Sequence, residues 1–105
     1  MSEIIKCAIF CSAGASTSLW AAKAQKVANE QGKQIEIKAH TIAIVADEGA
    51  KADIILIGPQ ARYMEKKVKA QFPEKPVSVV PMQIFGLMNG EDSLDYIETV
   101  IEELN

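Results

Sequence analysis

The chain has 105 residues, 49% of them hydrophobic and 24% charged, and a formal net charge of −3. This suffices for one domain, residues 1–105, with a core that needs no metal or disulfide, and it excludes a disordered chain. The acidic balance excludes nucleic acid as an expected partner, and no apolar run reaches the roughly 18 to 20 residues that span a bilayer.

In chain order, the opening MSEIIKCAIF lacks a charged n-region followed by a long apolar stretch and a cleavage site, so a cytoplasmic location is expected. Within it, EIIKCAIF (3–10) is a near-continuous apolar run of strand length. From Ser16 or Thr17 to Gln31 the pattern turns helical, with Trp20, Ala24, Val27 and Ala28 on one face and Gly32 as the stop. QIEIKA (34–39) alternates like an edge strand, with Glu36 and Lys38 on its wetter face. Thr41 is placed to cap a short helix over Ile42 to Glu48, ended near Gly49.

ADIILIG (52–58) is the most apolar strand signal. Pro59 then opens a helix to about Phe72, with Met64, Val68 and Phe72 on one face. PVSVVP (76–81) reads as a fourth strand framed by prolines. A last helix runs from about Ser93 to Leu104, with Leu94, Ile97, Ile101 and Leu104 inward and Glu98, Glu102 and Glu103 on a solvated face. MQIFGLM (82–88) is too apolar for a surface loop and is expected to be mostly core, with part left for a partner contact. The order β-α-β-α-β-α-β-α predicts an α/β fold: a single domain with an open four-stranded parallel sheet and helices on both faces. Ligands of such sheets bind outside the carboxyl ends of the strands.

The loop after the first strand lies at that edge, and it begins with Cys11 in IFCSAGASTS (9–18). Near a helix N-terminus, unpaired amides and the macrodipole favour an anion, a thiolate included. Ala13, Gly14 and Ala15 are small enough for backbone N–H groups to wrap an oxyanion. Ser12, Ser16, Thr17 and Ser18 add hydroxyl donors. Residues Ser12 to Ser18 thus read as a phosphate-binding loop and Cys11 as a sulfur that carries a phosphoryl group. A plain capped loop and a redox thiol are the competing readings.

Cys7 and Cys11 lie about 13 Å apart if the strand is regular, against the about 4.4 to 6.8 Å of a disulfide. They do not form C-x-x-C, and no metal or cofactor is called for. Cys7 is expected to be a small buried core residue.

A cysteine phosphatase of the C-x5-R kind clamps the transferring group with an arginine six residues after its nucleophile. Thr17 occupies that position here, the single arginine is Arg62, and there is no Asp-Pro loop for a general acid. Slow hydrolysis of a phosphocysteine suits a carrier better than a phosphatase. A low-molecular-weight phosphatase or arsenate-reductase-like enzyme is the alternative; a pure interaction module is the third reading.

CSAGASTS after the first strand, ILIGPQARY ending the third and the closing amphipathic helix together resemble the cytoplasmic IIB component of the bacterial sugar phosphotransferase system, lactose/cellobiose type. The resemblance covers nearly the whole chain; where that family typically has Met, this chain has Ala15. It implies a protein-phosphocysteine–sugar phosphotransferase. Cys11 would accept a phosphoryl group from a phosphohistidine of the IIA protein and pass it to a disaccharide of the cellobiose, lactose or chitobiose class at the membrane IIC protein, with Ser12, Ala13, Gly14, Ala15, Ser16, Thr17 and Ser18 holding the phosphate. Gln60, Arg62 and Tyr63 are accessory or docking candidates. His40, the single histidine, is expected to be a solvated loop residue.

Overall fold

The structure, a computed structural model, describes residues 4–12 and 14–104, without the side chains of residues 14 and 15. Its elements are β1 (Ile5–Cys11), α1 (Gly14–Glu30), β2 (Ile35–Thr41), α2 (Val45–Lys51), β3 (Ile54–Ile57), α3 (Glu65–Gln71), β4 (Val77–Val79), α4 (Met82–Leu87) and α5 (Gly90–Ile101). Tight 3₁₀ turns at Ile42–Ile44 and Pro59–Met64 lead into α2 and α3, and a third, Glu102–Leu104, follows α5. The four strands are all parallel, in the order β2-β1-β3-β4.

Alternation along β1 and β3 separates two cores. Cys7, Ile9, Ile54 and Leu56 face Trp20, Ala24 and Ala28 of α1, Phe85 of α4, and Leu94, Ile97 and Val100 of α5. Ala8, Phe10, Ile55 and Ile57 face Val45 of α2, Ala61 of the stretch between β3 and α3, and Val68 of α3. β1 from Cys7 onward and β3 are therefore buried on both sides, which explains their apolar runs. Each fully buried Ile, Leu or Phe contributes about 1.5 to 3 kcal/mol relative to exposure. These are the helices on both faces expected from the sequence.

On each sheet edge a side chain engages backbone groups. β2 turns backbone groups of Ile35 and Ile37 toward its open edge, and the Gln25 carboxamide donates to the Ile35 carbonyl at 2.9 Å while accepting from the Ile37 N–H at 2.7 Å. A residue of a neighbouring parallel strand would make the same pair of bonds. On the other edge, the Tyr96 hydroxyl donates to the Val79 carbonyl at 3.1 Å. With its one proton so used, Tyr96 accepts from Ser78.

Several boundaries differ from expectation, each for a local reason. α1 starts at Gly14, not at Ser16 or Thr17; a first-turn residue has no intrahelical N–H bond to lose, so glycine is inexpensive there. The helix expected from Pro59 to Phe72 is divided, because Ala61 (φ −112°, ψ 18°) breaks it and α3 begins only at Glu65. α5 starts at Gly90 rather than Ser93, since Asn89 Oδ1 accepts from the Asp92 N–H at 3.0 Å and caps the helix. Gly90 is where α5 crosses α1: a Cβ there would lie 2.8 Å from the Lys23 carbonyl oxygen. MQIFGLM forms α4, and of it only Phe85 is fully buried. Ile84 and Met88 also pack against the core, while Met82 and Leu87 stand 62% and 75% exposed, so this stretch divides between core and surface. Glu98 is half-buried and ion-paired with Lys33, and Leu104 is exposed.

Candidate functional site

β1 does not stop at Phe10; it continues through Cys11, which pairs with Thr41 of β2. The end of β1 is fastened to the end of β3 by the Gly58 N–H, which donates to the Phe10 carbonyl at 2.7 Å. β2 and β3 leave β1 on opposite sides, so the crevice outside the carboxyl ends of β1 and β3 is the switch point where such sheets hold ligands.

Cys11 occupies this point and is 2% exposed. Its Sγ–H donates to Gln60 Oε1 at 3.2 Å. Gly58 makes the approach possible. A Cβ on it would lie 2.9 Å from Cys11 Sγ, 3.1 Å from Cys11 Cβ and 3.4 Å from Gln60 Oε1. Any side chain at position 58 would therefore push on the thiol itself. Pro59 and the Ala61 N–H, which donates to the Gly58 carbonyl at 2.9 Å, set the tight turn that carries Gln60 back over β1. Buried Ala61 anchors that turn.

Ser12 is exposed at the bend after β1, and Ala13 lies outside the described residues, as does the Ala15 side chain. α1 opens at Gly14, three residues beyond Cys11, so its first turn and the positive end of its dipole lie close to the sulfur along the chain. Ser16 and Ser18 are exposed while Thr17 is buried. Successive helical residues point about 100° apart, so these three hydroxyls spread around α1 instead of converging.

Gln60, Arg62 and Tyr63 share the 3₁₀ turn after β3; Arg62 is exposed and Tyr63 is 69% exposed. His40 is not a loop residue. It lies within β2, half-buried, its ring 5.5 Å from that of Phe10 and its Nε2 3.7 Å from Glu48 Oε1. Cys7 is a core residue, and burial pushes its thiol well above the usual range. Both cysteines are free. The sequence reading missed what Gly58 does; a glycine ending a wholly apolar strand was the available signal of close backbone approach.

A parallel α/β domain whose first strand ends in a thiol at the sheet's switch point defines the class of protein. The chain belongs to the lactose/cellobiose-specific IIB subunits of the phosphotransferase system: the family model "PTS system, Lactose/Cellobiose specific IIB subunit" matches residues 6–96. It is 40% identical over 101 residues to the galactose-specific EIIB component of Lactococcus lactis subsp. cremoris, covering 90% of this chain and 94% of that one. Similar figures, 39% over 101 residues with 90% and 94% covered, hold for the cellobiose-specific EIIB component of Lactococcus lactis subsp. lactis. Among solved structures, the lactose-specific IIB domain from Streptococcus pneumoniae superposes with a TM-score of 0.84 at 15% identity, over 92% of this chain and 97% of that one. The cellobiose-specific IIB protein of Borrelia burgdorferi gives 0.79 at 23% identity, over 98% and 96%. These two likenesses establish the shared fold. As a IIB component the chain is part of a phosphotransferase, which gives it a general transferase role in sugar transport.

Proposed function

We propose that the chain is a phosphocarrier in which Cys11 shuttles a phosphoryl group between a IIA protein and the sugar translocated by a membrane IIC protein. The position of the thiol carries the reading: it ends β1 at the switch point, three residues ahead of a 17-residue helix. In the first transfer the S–P bond forms as the P–N bond of a IIA phosphohistidine breaks, and the thiol proton ends on the departing imidazole nitrogen. In the second, a sugar hydroxyl oxygen takes the phosphorus, the S–P bond breaks and the thiol regains a proton.

Backbone amides around the start of α1 are the proposed anion donors, joined by the Ser12 hydroxyl; with Thr17 buried and Ser16 and Ser18 spread around the helix, the amides carry more of this task than the full run of hydroxyls. The reaction is then mainly positioning and charge stabilisation. The absence of an arginine six residues after Cys11 supports a long-lived phosphocysteine over phosphatase turnover. The exposed Leu19, Tyr63, Met82 and Leu87 belong to the segments that follow β1, β3 and β4 and, with Arg62, are the proposed docking residues for IIA and IIC. No helix among the described residues is long and apolar enough to cross a membrane. The galactose- and cellobiose-specific relatives support a galactoside or glucoside as the proposed sugar.

Phosphorylation of the purified protein by phosphoenolpyruvate, enzyme I, HPr and a lactose/cellobiose-type IIA tests this. One phosphate mapped to Cys11, stable until IIC membranes and sugar are added, is the expected result. No adduct in the presence of an active IIA would overturn the reading.

A further inference from the structure

Resting on that reading, we infer that Gln60 tracks the chemical state of Cys11 by turning its carboxamide, accepting from the thiol before transfer and donating to the sulfur-bound phosphoryl group after it. The resting half of the cycle is the Sγ–H bond to Gln60 Oε1 at 3.2 Å. Once the sulfur carries phosphate it has no proton to give, and a carboxamide oxygen facing a phosphoryl dianion would be repelled. The same side chain holds two N–H donors on the opposite arm of the amide. A half-turn about its last torsion exchanges acceptor for donor without moving the backbone, and hydrogen bonds to a charged group are the stronger kind.

The surroundings favour this motion at the amide and disfavour it elsewhere. Gly58 leaves no side chain between Gln60 and the sulfur, while Pro59 and buried Ala61 hold the backbone on either side of Gln60. The Gly58 N–H and the Phe10 carbonyl hold the two strand ends in register. Gln60 itself is exposed, so its amide turns against water and not against packed neighbours. In this scheme it is a reversible partner of the reacting atom, able to stabilise both forms of a carrier that must be neither too poor an acceptor nor too poor a donor.

Two measurements on the full chain test the inference. In ¹⁵N-labelled protein the Gln60 side-chain amide resonances should shift when Cys11 is phosphorylated by IIA. The Gln60→Glu variant, which retains an acceptor but has no donor, should lower the equilibrium ratio of phosphorylated to free protein against IIA by about tenfold or more. Gln60→Leu should fall between that variant and the wild type, and a purely packing role would instead affect both variants alike. Unmoved Gln60 resonances in phosphorylated wild type, together with an unchanged equilibrium in Gln60→Glu, would overturn the inference and leave the carrier intact. A wild type that takes no phosphate on Cys11 would overturn the carrier reading and this inference with it; the S–H infrared band, moved in Gln60→Leu, would then show the resting bond alone.

Discussion

Cys7 and Cys11 stand four residues apart on one strand, on the same side of the sheet, and each is 2% exposed. Burial therefore does not separate them; their neighbours do. Cys7 lies level with Ile37 and Ile54 and packs in the α1–α5 core, where nothing favours its anion. Cys11 lies level with Thr41 at the last rung of the sheet, against a glycine and a carboxamide, just ahead of a helix start. One strand thus holds two thiols in different settings, by placing the first mid-sheet and the second where side-chain packing gives way to turns; in the proposed carrier the second is the addressable one.

The largest effect should come from removing the addressable sulfur. Cys11→Ser is expected to abolish phosphoryl transfer while leaving the melting temperature within a few degrees, read by phosphorylation assay and calorimetry; retained transfer would erase the contrast. Gly58→Ala comes next. Its methyl would sit 2.9 Å from the Cys11 sulfur, so transfer should fall sharply and stability by about 1 to 3 kcal/mol. The mirror experiment, Cys7→Ser, should cost about 1 to 3 kcal/mol in urea unfolding by burying a hydroxyl, with transfer by the folded protein preserved.

A pH series sharpens the comparison further. Because burial raises the folded Cys7 thiol above its unfolded value, its contribution is complete below the unfolded range near about 8.5 and is lost as pH rises above it. Stability should decline there by about 1.4 kcal/mol per pH unit from this group, and Cys7→Ala should flatten the slope by that amount. Tyr96→Phe, away from both thiols, is the smallest change: loss of the bonds to Ser78 and Val79 should cost about 1 kcal/mol, with transfer unaffected.

Most of this architecture was legible in the chain because it follows from periodicity. The double burial of β1 and β3, the edge position of β2 and the helical faces of Trp20–Ala28 and Leu94–Ile97 are all written as apolar spacing. Cys11 was legible by its place between a strand and a small-residue run. What escaped depends on contacts between distant residues. The Cys11–Gln60 bond spans 49 positions, the steric need for Gly58 exists only once β1 and β3 are adjacent, and His40 was misread because its tilted ring contact with Phe10 requires the β1–β2 register. α4 escaped for a different reason: a six-residue helix after Pro81 is too short to display a period, and its exposed Met82 and Leu87 mimic a core signal.

The capping of both sheet edges by Gln25 and Tyr96 bears on how such a protein keeps company. With the Ile35 carbonyl, the Ile37 N–H and the Val79 carbonyl already engaged, a visiting chain finds fewer backbone groups to extend the sheet with. Encounters are left to side chains on helices and turns, where contacts form and dissolve without unzipping a ladder of backbone bonds. In the proposed carrier cycle, a molecule that meets two partners in succession gains from holding neither one by its strands.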